Sequence, residues 1–83
     1  MPHDFMTNVL IDTRSWMPNK NFMKSSLVEI LEQHKIPESS LKEDDLVCDF
    51  YIPGLNSYKA HTLARSINSR IKSYHARIAV DIN

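Results

Sequence analysis

The sequence predicts a small two-layer α/β domain with the order β-α-β-α-β, and α+β is the fallback class. Two amphipathic helical stripes alternate with short runs of β-branched and aromatic residues, which predicts three strands in one sheet with both helices on one face. An apolar share of 42% and a charged share of 24% indicate a globular chain with a buried core. Its 83 residues are expected to form a single domain, 1–83, in which residues 1–4 are a flexible N-terminal arm.

The first third of the chain predicts a strand followed by a helix. Residues 5–12 contain a β-compatible apolar run that ends at Ile11. Residues 20–35 are predicted to form a helix, with Asn19 or Asn21 as its N-cap. The apolar residues of this helix recur at helical spacing and form one core-facing stripe, which consists of Met23, Leu27, Ile30, Leu31 and His34.

The middle of the chain predicts a short helical segment and a second strand. Within residues 38–46, Ser40 and Glu43 match a capping box, which predicts one or two helical turns. The run from Leu46 to Ile52 is β-branched and aromatic, and Pro53 is expected to end it.

The last third predicts the clearest helix and a third strand. The helix is expected over residues 57–74, opened by Asn56 or Ser57. Residues 77–82 carry apolar side chains at period two, which predicts a short strand. The core-facing stripe of the helix consists of Ala60, Leu63, Ala64, Ile67, Ile71 and Tyr74.

Two successive crossovers of this kind predict a largely parallel sheet with both helices on the same face. The opposite face is then bare, which predicts a homodimer. The alternative architecture is a mainly helical domain whose terminal segments are extended arms.

Charge is segregated along the chain although the net charge is zero. Residues 50–80 contain no acidic side chain, whereas residues 28–49 are rich in Asp and Glu. Segregation of this kind shapes the choice of partner more than it shapes the fold. The two blocks therefore provide the main functional hypotheses.

The first hypothesis is nucleic-acid binding through a basic helix, 57–77. Small hydroxyl side chains lie opposite its apolar stripe, with cations along both edges, a surface that suits a phosphate backbone. Two other interpretations stay open: a solvated face that pairs with the acidic block of the same chain, and a site for another anionic partner. The predicted nucleic-acid-binding residues are Lys59, Arg65, Asn68, Arg70, Lys72 and Arg77.

The alternative hypothesis is a protein–protein interaction module, a regulator or inhibitor of a larger complex. It would use the acidic segment 38–49 or an exposed sheet face. Separately, Phe50 and Tyr51 are candidates for stacking on single-stranded bases at a sheet surface. The cluster of Trp16, Met17 and Pro18 with Phe22 and Met23 is expected to cap the core, with an adaptable contact surface as the other interpretation. The predicted partner-binding residues are Glu43, Asp44, Asp45 and Asp49.

Catalysis, cofactors and metals receive no support from the sequence. It has no glycine-rich phosphate loop, no nucleophile elbow and no paired Cys or His ligands, so we predict a protein that is not an enzyme and has no cofactor or metal site. The lone Cys48 is interpreted as a packed thiol in a reducing compartment. No apolar run approaches the roughly 20 residues of a membrane helix, so we expect a cytoplasmic protein without a membrane partner.

Overall fold

The computed structural model describes residues 6–80; the predicted arm, 1–4, and the last two residues of the predicted strand 77–82 lie outside that range. A short 3-10 turn, Glu38–Ser40, precedes the second strand. The elements are β1 (Thr7–Thr13), α1 (Lys20–Gln33), β2 (Lys42–Glu43), β3 (Phe50–Leu55), α2 (Ser57–Arg70) and β4 (Tyr74–Val80).

The described strands form one sheet in the order β2-β3-β1-β4, and every neighbouring pair is antiparallel. It follows that β1 is parallel to β2, and β3 to β4, although neither pair is adjacent. Each helix thus makes a βαβ crossover that skips one strand, which is the split βαβ topology. The predicted two-layer architecture is confirmed. The predicted crossover from β3 to β4 is present, whereas the first crossover ends on β2, because β1 and the predicted second strand, β3, are antiparallel neighbours.

The sheet differs from the prediction in strand number and direction. Of the predicted helical segment at 38–46, a single 3-10 turn, Glu38–Ser40, is present; the capping box does not form, because Lys42 and Glu43 pair with Tyr51 and Phe50 as strand β2. Strands β2 and β3 form a hairpin, and β3 lies between β1 and β2 in the sheet. Neighbouring strands are therefore antiparallel, and the expected parallel pairing is wrong.

The helix starts follow the predicted capping. The Asn19 side chain accepts from the backbone N–H of Phe22 at 3.1 Å, and the Asn56 side chain accepts from that of Lys59 at 2.8 Å. Helix α2 ends earlier than predicted, because Ile71 adopts an extended conformation and starts the turn into β4. Residues 72–77 are therefore not helical.

Strand β3 continues past Pro53, where the sequence predicted its end. Between Thr7 and Val9 the register advances by three residues on β3, so a bulge lies at Pro53-Gly54, where Gly54 takes a φ of +74°. Strand β2 pairs only with the first two residues of β3, so the missing N–H of Pro53 removes no hydrogen bond from that ladder.

One core lies between the helices and the inner face of the sheet. The opposite face has no helix over it, and its register aligns Lys42, Tyr51, Leu10 and Arg77 in a row across the four strands. We call this the open face. The most deeply buried core residues include Val9, Ile11, Leu27, Ile30, Leu31, Phe50, Ile52, Leu63 and Ile67.

Candidate functional site

One end of the molecule brings two loops, 14–18 and 44–49, together around the first turn of α1. The ammonium of Lys20 lies 3.0 Å from the carbonyl oxygen of Asp49, 3.3 Å from its carboxylate and 3.5 Å from that of Asp45. The backbone N–H of Thr13 donates to the other Asp49 carboxylate oxygen at 2.8 Å. Loop 44–49 is therefore fastened both to the end of β1 and to the start of α1.

Large apolar side chains are exposed at this end. Among residues 6–80, eight large hydrophobic residues are exposed, and five of them lie on these two loops and the first turn of α1. The expectation that Trp16 caps the core is wrong, since the indole is 92% exposed. We call these five residues the apolar end: Trp16, Met17, Phe22, Leu46 and Val47.

A concavity of about 240 Å³ lies beside Met17 and Phe22. It is smaller than the roughly 300–1,000 Å³ of typical small-molecule sites, so its size suits a side chain of a protein partner. Tyr74 also lines the concavity; its hydroxyl oxygen is buried, and burial raises the pKa of that hydroxyl. The remaining lining residues are Thr13, Ser15, Pro18, Asn19, Met23 and Ser73.

The predicted acidic partner-binding residues divide into two groups. The Asp44 carboxylate accepts the backbone N–H groups of Val47 at 3.1 Å and Leu46 at 3.4 Å. The Val47 hydrogen bond is the main reason that the pKa of Asp44 is lowered. Asp44 and Asp49 thus shape loop 44–49, whereas Glu43 is exposed and the Asp45 side chain is 89% exposed.

Cys48 is buried beneath this loop, with its sulfur 3.7 Å from an Asp44 carboxylate oxygen. Burial and, secondarily, the negative charge of Asp44 raise the pKa of the Cys48 thiol. The thiol is therefore protonated at neutral pH and poorly suited to nucleophilic attack. Within residues 6–80 there is no cluster of side chains suited to hold a metal ion.

The predicted nucleic-acid-binding residues do not form one surface. Arg70 donates to Gln33 of α1, so its flank of α2 faces the other helix. Arg77 lies on β4, on the open face, where it pairs with Asp12 and donates to the carbonyl of Val47 at 3.2 Å. Lys72 lies in the turn after α2.

Asn68 lies on the flank of α2 next to β4, with its amide occupied. Its side-chain oxygen accepts the Ala76 N–H at 2.8 Å, and its NH₂ donates to the Ala76 carbonyl at 3.0 Å. This pair of hydrogen bonds joins α2 to the outer side of β4. Base recognition by Asn68 would require both bonds to break.

The acidic and basic blocks do not neutralise each other in the described part of the chain. The acidic residues that form ion pairs there are Asp45 and Asp49 with Lys20, and Asp12 with Arg77. Four of the predicted cations form no ion pair with any described residue: Lys59, Arg65, Arg70 and Lys72. Of these, Arg70 donates to the neutral amide of Gln33.

The open face presents one of the two aromatic residues that the sequence offered for base stacking. Phe50 is buried at 1% exposure in the core, with the Lys20 ammonium 5.1 Å from its ring centre. Tyr51 alternates with it and lies on the open face between Lys42 and Leu10. A single aromatic side chain is fewer than the two or three that stack bases on other sheet surfaces.

Sequence reasoning missed the Leu46–Val47 part of the apolar end because it placed both residues in a strand. The available signal was Asp44, since an Asp two or three residues before an apolar pair often accepts backbone N–H groups in a turn. Neither helix of the described residues is long and apolar enough to cross a membrane. Comparison of the chain with known protein families, curated proteins and solved structures gives no match in any of the three.

Proposed function

We propose that this protein is a non-catalytic protein-interaction module that docks a partner protein on the apolar end. The observation that carries the proposal is that, of the eight large apolar residues exposed among residues 6–80, five lie on two adjoining loops and one helix turn. Contiguous exposed apolar surface on a small domain is typical of an interaction site. Trp, Phe and Met are enriched at such interfaces, and Trp is frequent among the residues that dominate binding energy.

The surroundings of the apolar end indicate the chemistry of the partner. Glu43 and Asp45 project from the start of loop 44–49 into solvent and leave an acidic rim beside the apolar side chains. A partner segment with apolar anchors and flanking Lys or Arg is complementary to this arrangement. One anchor side chain fits the concavity beside Met17 and Phe22.

Capture of partners by the immobilised full chain tests the proposal. The test variant is W16S/M17S, and the matched control is Tyr58→Ser, because Tyr58 is also exposed, at 81%, but lies at the start of α2. We expect a partner that the wild type and the control retain and that the double variant loses at least tenfold. Equal capture by all three proteins would contradict the proposal.

Trp16 is itself a reporter of docking, because it is the single tryptophan of the chain. We expect its emission to shift to shorter wavelength, and acrylamide quenching to fall, when the captured partner is added. Phe22→Ser should weaken binding and leave this reporter intact. A partner that binds without changing Trp16 emission contacts another surface and would overturn the assignment.

Nucleic-acid binding by α2 is the second candidate. It is favoured by three cations that form no ion pair with any described residue, Lys59 and Arg65 on α2 and Lys72 in the turn after it, in a stretch without acidic residues. Binding of labelled single-stranded RNA should weaken steeply with salt, by about 0.7 units of log K per unit of log salt for each phosphate contact. R65A/K72A should flatten that slope by about 1.4. Absence of binding at about 50 mM salt would exclude this candidate.

A further inference from the structure

Among residues 6–80, the outer side of β4 pairs with no other strand. Within that range β4 pairs with β1 alone, and alternate residues of an antiparallel strand direct N–H and C=O away from that partner. The bonds from Asn68 show that Ala76 is one of these residues. Because the direction alternates along the strand, the backbone N–H and C=O groups of Ile78 and Val80 also point away from β1. Within residues 6–80, no group bonds to the outward N–H or C=O of Ile78 or Val80.

Asn68 shows that this edge accepts a strand-like partner. Its side-chain amide offers one donor and one acceptor, as a peptide group does, and it uses both on Ala76 at 3.0 and 2.8 Å. The amide thus stands in for one peptide group of a neighbouring strand. Beyond it, the edge continues without such a substitute.

The flank of α2 beside this edge is positively charged. Helix α2 and β4 run in opposite directions after a short turn, so residues before Asn68 lie alongside residues after Ala76. Arg65 is one helical turn, about 4.5 Å, before Asn68, and Ile78 is about 6.6 Å along the strand from Ala76, so Arg65 is on the part of α2 that runs past Ile78. No acidic residue occurs in α2 or β4.

This charge decides between two possible occupants. A second copy of the chain pairing through β4 would bring a second Arg65 and Lys72 to the same edge, and like charges oppose that association. An extended segment carrying Asp or Glu instead gains an attraction from the same cations. The edge therefore suits an acidic strand, which is the strand-addition mode of peptide recognition.

We propose that the β4 edge binds an extended acidic segment of a partner protein, whose backbone pairs with Ile78 and Val80 and whose carboxylates face Arg65. The Asn68 amide already bonds the N–H and C=O of Ala76, so the added strand ends before Ala76. Asn68→Ala lengthens the free edge and is expected to tighten binding severalfold. This surface lies away from the apolar end, and its failure or success leaves the proposed function unaffected.

The test uses a capped, fluorescein-labelled hexapeptide of alternating Val and Glu, titrated into the full chain and followed by anisotropy. The Lys-for-Glu peptide and an alternately N-methylated Val-Glu peptide should bind at least tenfold more weakly. Arg65→Glu should weaken binding of the Val-Glu peptide at least tenfold. The matched control Lys59→Glu, on the other flank of α2, should not change it.

Amide hydrogen exchange separates strand addition from surface attraction. The bound peptide should slow exchange of the Ile78 and Val80 amides at least tenfold, with Ala79, which faces β1, as the internal reference. Val80→Pro removes one outward N–H at a side chain that is 52% exposed, and should abolish binding while circular dichroism stays unchanged. Binding without this protection, unchanged affinity of Val80→Pro, or the same protection on self-association without peptide would overturn the proposal.

Discussion

The acidic and basic blocks of the chain carry similar numbers of charges, but their charges have different fates in the fold. In loop 44–49, the carboxylates of Asp44 and Asp49 accept backbone N–H groups, and Asp49 also binds Lys20. On α2, by contrast, Lys59 and Arg65 bind no other described side chain. Loop backbone leaves N–H groups free for carboxylates, whereas backbone groups inside a helix already bond each other. A count of charged residues in the sequence therefore predicts how many charges are free to bind a partner in a helix, but not in a loop.

The largest expected effect comes from removing the carboxylate that fastens loop 44–49. Asp49→Ala breaks the bonds to the Thr13 N–H and to Lys20 at a side chain that is only 22% exposed. Hydrogen bonds to charged groups contribute about 1.5–3 kcal/mol each, so we expect the free energy of unfolding to fall by about 2–3 kcal/mol. Urea unfolding measures it. Glu43→Ala is the control, and an equal loss in both variants would remove the distinction between the two groups of carboxylates.

An intermediate effect is expected at Asn68, the polar residue that ties α2 to β4. Asn68→Ala loses two partly buried hydrogen bonds worth about 1–2 kcal/mol together, and gains about 0.5 kcal/mol from the higher helix propensity of Ala. We expect a net loss of about 0.5–1.5 kcal/mol in urea unfolding. Ser69→Ala, at the next and likewise exposed position, should not destabilise the protein. Equal stability of Asn68→Ala and wild type would indicate that the Ala76 bonds contribute nothing net.

Reversing the charges of Arg65 on α2 and Lys72 in the turn after it is expected to change the free energy of unfolding very little. R65E/K72E removes no ion pair that the described residues form, so the free energy of unfolding should change by less than about 0.5 kcal/mol. The same measurement on Asp49→Lys should show a loss at least as large as that of Asp49→Ala. A large loss in R65E/K72E would mean that the fold depends on the basic block as strongly as on Asp49, and the contrast between the two blocks would disappear.

The parts of the fold that the sequence predicted are those that local interactions determine. Both Asn caps and both helical stripes depend on residues within one or two turns. The caps appear as expected and the stripes are buried as far as the helices extend, whereas His34, Ile71 and Tyr74 lie beyond the helix ends. Strand β2 was not predictable in this way, because Lys42 and Glu43 are exposed and become a strand only by pairing with β3. The continuation of β3 through Pro53 likewise depends on which neighbour lies on that side of the strand.

The sequence predicted the acidic residues beside the candidate site but not the exposed apolar residues that form it. The exposure of Trp16 and Leu46 depends on where two loops fold, and an isolated aromatic or aliphatic residue favours burial in any sequence-based argument. The basic residues of 50–80 were predicted to lie on one helix. Because α2 ends at Arg70, Arg77 lies on strand β4 in the sheet layer instead. Helical periodicity extended past the true helix end is the physical reason for that error.

The smallest expected effect is a local pH dependence in loop 44–49. Hydrogen bonding, chiefly from the Val47 N–H, holds the pKa of Asp44 below its ordinary value of 3.8. The unfolded chain therefore binds a proton at Asp44 before the folded loop does. The contribution of Asp44 is fully present above pH 3.8 and is lost as the pH falls through the lowered pKa of the folded state.

Amide chemical shifts of Val47, recorded against pH, check this expectation directly. We expect no change between neutral pH and about pH 5, then a transition whose midpoint lies below 3.8. Asp44→Asn should remove the transition, since the amide oxygen still accepts the Val47 N–H but does not titrate in this range. A midpoint at or above 3.8 would show that the backbone N–H groups of loop 44–49 do not stabilise the Asp44 carboxylate.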